Sequence, residues 1–374
     1  MAGGLGRQPW LAMIAIILFL VCVRDQVILS SFLDSNNTNE NAVLRAAQKN
    51  SDNTKGQYIA ASIMPTAKLR EQRRQWSLEE LTRSSTENTT CPQEDQIYMS
   101  NKPLPTLQNP NATYRIPLII HQTSKYRCVK KFLGALTEQW RNLPEFTYYF
   151  HDDEAVDRLL EASATFPHAA ALARSCLNSG ASKADLWRLL VLFEYGGVYA
   201  DMDSAPGRFD SQILGANDQA FVVIDKDKLF SQFFMVFEPK HPFLYMFIHA
   251  ILEALSALAD TGKYNPVKVT GPGMMRSVFI QFMVQAGQPD PYADGDLGLV
   301  AGNYTGMLNG TLRAEGHWTR PDDIMIREMY PQRKMGWYKE QGMEHFTSTM
   351  KKRTGVSCAE AMFRDYYNTP QTNN

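Results

Sequence analysis

Ser182 to Asp203 reads SKADLWRLLVLFEYGGVYADMD, and its two halves follow different periods. Leu186, Leu189, Leu190 and Phe193 recur at three- and four-residue spacing, which predicts a helix. Ser182 stands where a capping hydroxyl is wanted, Asp185 follows three residues later, and Gly196 supplies the stop. After the glycine pair, VYADMD is a short apolar run ending in two acids, the pattern of a strand. Side chains alternate along a strand, so Asp201 and Asp203 are expected on one face, about 6 to 7 Å apart. Two like charges so placed repel, and folding them together needs a solvated strand end, a shared proton or a bound cation. Asp185 and Arg188 share a helix face. A capping box and an i,i+3 ion pair explain them structurally. The two-glycine connection also carries that face toward the acidic pair, which favours a functional assignment.

Upstream, RIPLIIHQTSK (Arg115 to Lys125) is an apolar run that ends in polar residues, as a buried parallel strand does where its carboxyl end opens onto a ligand crevice. His121, Gln122 and Thr123 lie at that opening, and His121 reads either as a ligand contact or as a hydrogen-bonded structural histidine. A helix is predicted around Phe132 to Arg141, then a second strand in FTYYFHDD (Phe146 to Asp153). The Asp152 and Asp153 pair is read as the cap of a helix beginning near Glu154.

The chain has 374 residues, 44% of them apolar, with 19 Phe, 16 Tyr and 6 Trp, enough to bury a large core. Its net charge is −1 and its cations are dispersed, which argues against nucleic acid as a partner. At the N-terminus WLAMIAIILFLVCV (Trp10 to Val23) is uncharged and follows Arg7. As a helix it covers about 21 Å, a length suited to a signal peptide or to a thin early-secretory membrane. An uncleaved anchor is the preferred reading, with residues 1–9 cytosolic, 10–29 spanning, 30–113 a polar stem holding one helical stretch (Ala67 to Arg83), and 114–374 the catalytic domain. Five sequons, at Asn36, Asn88, Asn111, Asn303 and Asn309, fit a lumenal N-glycosylated chain. Cys91, Cys128, Cys176 and Cys358 lie beyond the anchor and allow three disulfide pairings. No zinc-spaced Cys or His cluster is present in the sequence.

Three chemistries compete for the acidic pair. Glycosidase carboxylates flank a scissile bond from separate elements, which neighbours on one strand do not. Phosphatases of the haloacid dehalogenase type also end a strand in Asp-x-Asp, but they want Thr or Val where this chain has Ala205. A divalent cation takes a few carboxylates and leaves positions for phosphate oxygens.

Taken in order, IPLIIHQTSK, FTYYFHDDEAVDRLL, SKADLWRLLVLFEYGGVYADMDSAPG, FFMVFEPKHPFL and TGPGMMRSVF resemble the DXD-containing glycosyltransferases, the family that includes the fungal initiating α-1,6-mannosyltransferase of the N-glycan outer chain. The resemblance covers about Arg115 to Lys351. It implies a GT-A-like α/β fold, a mixed, mainly parallel sheet with flanking helices that binds a nucleotide sugar at its carboxyl edge. It further implies Mn²⁺, with Mg²⁺ as the alternative, retention at the anomeric carbon, and a single-pass type II protein of the Golgi or endoplasmic reticulum. By position, Asp201 and Asp203 match the DXD, Asp203 as the firmer metal ligand and Asp201 as a contact either to the metal or to the ribose. Asp185 and Arg188 match the donor-sugar and phosphate contacts, and His121, Gln122, Thr123 and Tyr199 the nucleotide-facing edge. GDP-mannose is the expected donor and a glycan the expected acceptor, with a UDP-sugar or a sphingolipid head group as the alternative within the family. A non-catalytic carbohydrate-binding protein or a phosphatase is the alternative outside it. The C-terminal part departs from the pattern: MEHFTSTMK (Met343 to Lys351) keeps His345, which reads as a third metal ligand, a diphosphate contact or a surface histidine, but lacks the Gly and Trp of the family run. Gly271-Pro272-Gly273 reads either as a loop letting backbone approach donor or acceptor, or as a plain turn.

Overall fold

The computed structural model describes residues 76–85, 89–102, 114–177, 179–225, 228–292, 299–316, 324–328 and 354–368. Along the chain they form α1 (Leu78–Leu81), β1 (Gln96–Tyr98), β2 (Ile119–Thr123), β3 (Cys128–Lys130), α2 (Lys131–Arg141), β4 (Thr147–His151), α3 (Asp153–Ala162), α4 (Ala169–Cys176) and α5 (Gly180–Tyr195). There follow β5 (Gly197–Ala200), β6 (Ser204–Pro206), β7 (Ala220–Ile224), β8 (Phe230–Phe237), α6 (Pro242–Ser256), α7 (Pro266–Val269), α8 (Pro272–Val284), β9 (Gly302–Thr305), β10 (Thr311–Gly316), β11 (Ile326–Glu328) and α9 (Cys358–Asn368).

Among the described residues the main sheet has seven strands in the order β4-β2-β5-β8-β7-β10-β9. β2 pairs in parallel with both β4 and β5, β8 runs antiparallel to β5 and β7, β10 is parallel to β7, and β9 is antiparallel to β10. All strands but β8 and β9 therefore point the same way, and the expected mixed, mainly parallel sheet is present. Period-two alternation sorts its residues between two cores. Val198, Phe221, Val223, Phe234 and Val236 face Trp140 of α2 and Phe209, whereas Tyr199, Val222, Met235 and Phe237 face α3, α5, α6 and α8.

The helix α5 is central rather than half-exposed, since every residue from Leu186 to Phe193 is buried. Its start differs from the expectation: the helix begins at Gly180 after Ser179, and Ser182 lies inside it, fully buried. Apolar spacing locates a helix well and its first turn poorly, because the residues there are small and carry little periodicity. The stop is as expected. Gly196 has φ +67°, and a Cβ there would meet Pro239 at 2.6 Å; Gly197 has φ +98°, and a Cβ would meet the Ile119 carbonyl at 2.5 Å. Only glycine fits either place, and the tight connection sets β5 directly beside β2. Asp152 caps α3, accepting from the Ala155 amide at 3.0 Å.

Residues 76–85 and 89–102, inside the span read as a stem, pack onto the domain. Leu78, Leu81 and Met99 are buried, and β1 pairs antiparallel with β3. Buried Arg127 bonds the carbonyls of Thr82, Met99 and Phe150 and the Asp152 carboxylate, so one guanidinium staples both segments to the sheet. Polar composition hides this, because three apolar anchors are enough when a buried arginine satisfies the backbone between them. The disulfides are Cys91–Cys128 and Cys176–Cys358, which selects one of the three pairings. Asn303 and Asn309 are exposed, on β9 and in the turn to β10. Asn36, Asn88, Asn111, His345 and residues 10–29 lie outside the described residues, among which no helix is long and apolar enough to cross a membrane.

Candidate active site

The connection from β2 leads to β4 on one side while β5 lies on the other, so the sheet has a switch point at β2 and a crevice at the carboxyl ends of β2 and β5. Asp201 and Asp203 stand there, but not on a strand. β5 ends at Ala200 and the chain turns at Asp201-Met202-Asp203, closed by the Ser204 amide donating to the Asp201 carbonyl at 3.1 Å. The strand pattern placed them on one face of an extended segment; the turn supplies the solvated end instead, which relieves their repulsion. Its backbone is pinned on every side. The Asp201 carbonyl also accepts from the Ser204 hydroxyl at 2.6 Å and the Gln122 amide at 3.2 Å. The Asp201 amide donates to the Phe233 carbonyl at 2.8 Å, Trp140 Nε1 donates to the Ser204 carbonyl at 3.0 Å, and Met202 is buried.

Tyr199, on the face of β5 toward α5, donates its hydroxyl to Asp201 Oδ1 at 2.5 Å. Burial holds this phenol well above its ordinary range, so it stays a neutral donor. Arg188 comes from α5 and is consumed by protein partners. Its NH2 pairs with Asp185 Oδ1 at 3.0 Å, its NH1 donates to the Gln232 carbonyl at 2.8 Å and lies 3.5 Å from Asp201 Oδ1, and its plane stands 4.6 Å from the Tyr199 ring centroid. Burial works against this charge, and Tyr199, Asp201, Asp185 and Asp203 more than offset it, leaving the guanidinium above its ordinary range. The i,i+3 pair read from the sequence is present, and so is its approach to the acidic turn. The Arg188 side chain is 9% exposed, so its evident task is to hold two carboxylates in place.

Asp185 receives the Thr270 hydroxyl at 2.8 Å on its second oxygen. Burial pushes its carboxyl up to about 6, against the pull of Arg188 and Thr270, and Asp201 adds to the rise. The strand-end residues divide. Gln122 is buried between Tyr148, whose hydroxyl donates to it at 3.1 Å, and the Asp201 carbonyl. Half-buried Thr123 donates to the His151 carbonyl at 2.9 Å. His121 is fully buried with both ring nitrogens engaged, Nε2 with the Gly196 carbonyl and Nδ1 with His151 Nε2, each at 3.1 Å. A carbonyl only accepts, so His121 carries its hydrogen on Nε2 and takes the His151 hydrogen on Nδ1. Both imidazoles are neutral: burial lowers His121 to about 4, and lowers His151 well below its ordinary value with help from His121 and Arg127. Of the two readings of His121, the structure shows the hydrogen-bonded structural histidine, supporting the glycine turn that launches β5.

Gly271 and Gly273 also answer to the fold. A Cβ on Gly271 would meet Val267 Cα at 2.8 Å, and one on Gly273 would meet the Val267 carbonyl at 2.8 Å, so both serve the close approach of α7 to the first turn of α8. Sequence reasoning gives no role to Gln232, and Thr270 stands in it only as the residue before that corner. The signal for Gln232 was a single amide within the apolar run FSQFFMVF.

Two carboxylates at a solvated turn, with Arg188 behind one of them, are a hard oxygen donor set that suits Mg²⁺ or Mn²⁺ and leaves positions for phosphate and water. Among the described residues no group of three or more His, Cys, Asp or Glu is gathered as for a fully protein-ligated ion.

Residues 68–219 match the family described as the glycosyltransferase sugar-binding region containing the DXD motif, a span that holds Asp185, Arg188, Asp201 and Asp203. A curated relative, the initiation-specific alpha-1,6-mannosyltransferase of Schizosaccharomyces pombe (strain 972 / ATCC 24843), is 26% identical over 45% of this chain and 49% of its own length. This chain thus spans about half of that relative. A solved structure, the PaToxG glycosyltransferase, is 16% identical over 44% of this chain and 68% of its own, with a TM-score of 0.33. The fold stands on the strand order given above and draws nothing from that likeness.

Proposed function

We propose that the chain, whose residues 68–219 match the DXD-containing glycosyltransferase family, transfers a hexose, with retention, from a nucleotide sugar to a glycan acceptor. The observation that carries this reading is the acidic turn at the carboxyl end of β5, with the Asp185 and Arg188 pair of α5 locked behind it. The reaction is α-1,6-mannosyl transfer, a choice supported by the 26% identity to a protein named initiation-specific alpha-1,6-mannosyltransferase, and we take GDP-mannose as the donor and an N-glycan as the acceptor.

Asp201 and Asp203 would hold the cation, Mn²⁺ or Mg²⁺, whose chemistry when bound would be to neutralise the diphosphate leaving group. The chain's own residues do the rest. Arg188 and the Tyr199 hydroxyl fix Asp201, so the ligand carboxylate costs little reorganisation when charge moves. Asp185, at the same opening, accepts a hydrogen bond from a donor-sugar hydroxyl. The acceptor hydroxyl attacks the anomeric carbon from the face of the leaving group. Its C–O bond forms as the bond to phosphate breaks, and its proton leaves with the diphosphate. No protein nucleophile is needed, and positioning with electrostatics supplies the rate. We place the protein in the secretory pathway as a type II Golgi or endoplasmic reticulum enzyme, a proposal supported by its two disulfides.

The test is nucleotide release from a panel of GDP- and UDP-sugars by the purified full chain, with Mn²⁺ or with chelator and with a simple mannoside as acceptor. Mn²⁺-dependent release from GDP-mannose is the expected result. Release from a UDP-sugar alone would move the donor assignment, and release indifferent to chelator would overturn the metal site.

A further inference from the structure

Gln232 and Thr270 lie beyond residues 68–219 and reach Asp185 and Arg188 from two other parts of the chain. Four residues close into a ring. Thr270 Oγ1 donates to Asp185 Oδ2 at 2.8 Å, and Arg188 NH2 pairs with Asp185 Oδ1 at 3.0 Å. Arg188 NH1 donates to the Gln232 carbonyl at 2.8 Å, and Gln232 Nε2 donates to the Thr270 carbonyl at 3.1 Å. Both oxygens of Asp185 are therefore held by different partners, and a carboxylate bound at both oxygens cannot turn about its last torsion. Thr270 is 0% exposed and Gln232 is 6% exposed, so neither is placed to touch a substrate, whereas the Asp185 side chain keeps 15% of its surface open. What delivers Thr270 is the corner between α7 and α8. Its two glycines let the helices meet backbone to backbone, and the Thr270 hydroxyl, within 3.3 Å of the Pro266 carbonyl behind it, has Asp185 in front.

We propose that Thr270, set by the Gly271-Pro272-Gly273 corner and by Gln232, is a positioning residue that aims the Asp185 carboxylate at the donor sugar without contacting it. The proposal rests on the donor site described above. It assigns the glycine-proline-glycine motif a part in the rate of transfer rather than in binding a ligand through its own backbone. Asp201 and Asp203 lose no partner when the Thr270 hydroxyl is removed, so nucleotide binding and turnover should separate.

The experiment compares wild type with Thr270→Val, Thr270→Ser and Gln232→Leu, all in the full chain. It measures kcat and KM for release from GDP-mannose with Mn²⁺ and mannoside acceptor, the calorimetric affinity for GDP with Mn²⁺, and the melting temperature. Valine keeps the shape of threonine and deletes its hydroxyl. Thr270→Val is expected to lower kcat by about 10-fold, in line with outer partners that orient a site group, with GDP affinity within about twofold of wild type. Serine, which restores the hydroxyl, is expected to recover most of the loss, and Gln232→Leu to reproduce part of it. Equal activity of Thr270→Val and wild type overturns the proposal alone. So does a Thr270→Val defect that serine fails to relieve, or one that lowers GDP affinity and melting temperature in step with kcat, since that is the mark of a merely structural bond. A folded wild type that releases nothing from any donor overturns the donor site, and this proposal with it.

Discussion

At the proposed metal site a single hydroxyl sets the orientation of the Asp201 carboxylate. Tyr199 donates to one oxygen of that carboxylate at 2.5 Å while Arg188 approaches the same oxygen, leaving the other for a ligand. Partners of this kind orient a ligand carboxylate, and their loss typically weakens metal affinity 10- to 100-fold. Tyr199→Phe, which keeps the ring under Arg188, is therefore expected to raise the Mn²⁺ concentration needed for half-maximal GDP binding by about 10-fold. An unchanged Mn²⁺ titration would make the contact incidental. At this scale the sequence was legible where spacing carries geometry. Asp185 and Arg188, three apart on a helix, are a pair by spacing and a pair in the structure. Where the partner comes from elsewhere in the chain, spacing says nothing. That is why Thr270 and Gln232 went unnoticed, and why His121, whose partners are Gly196 and His151, stood open between two roles.

Among elements, the helix, glycine turn and strand from α5 to β5 were readable because local rules agree there: apolar spacing, a glycine stop and a short apolar run. The pattern carries the strand on through the acidic pair, whereas the chain turns at Asp201, which nothing in VYADMD announces. Disulfide pairing was closed to sequence reading because it depends on which helices meet. The Cys176–Cys358 bridge ties α9 to α4 across 182 residues of chain, and Asp260 holds the approach to α9 by accepting from Thr354 and Gly355. A loop that long constrains the unfolded chain strongly, and native bridges of this kind contribute about 2 to 5 kcal/mol. Replacing both cysteines by alanine is expected to lower unfolding free energy by that order in urea titration, with α9 losing amide-exchange protection first. A variant as stable as the parent would show that packing of α9 on α4 suffices without the bond.

The whole molecule carries an acid sensitivity in its buried imidazoles. Burial holds His121 at about 4 and His241 at about 3, and places His151 well below its ordinary value, against about 6.5 in an unfolded chain. The unfolded state therefore binds more protons below that value, and stability is lost as pH falls from about 6.5 through the folded pKa values. Asp185 works the other way, since its folded pKa of about 6 exceeds the ordinary carboxylate value, so protonating it favours the folded state. Burial also raises Asp153 and Glu238, which act in the same direction as Asp185, and the three histidines, whose titration range from about 6.5 downward is the one crossed here, act against them. The melting temperature is expected to fall steadily between pH 7 and pH 5, and a rise over that range would contradict the assignment of the histidines as neutral.

The central claim concerns the acidic turn, so the deciding measurement is calorimetric binding of GDP to the full chain, with Mn²⁺ or chelator, for wild type and Asp203→Asn at matched melting temperature. The account predicts saturable binding that chelator abolishes and that Asp203→Asn weakens at least about 100-fold, as loss of one of two metal carboxylates requires. Binding that survives both chelator and Asp203→Asn would contradict it.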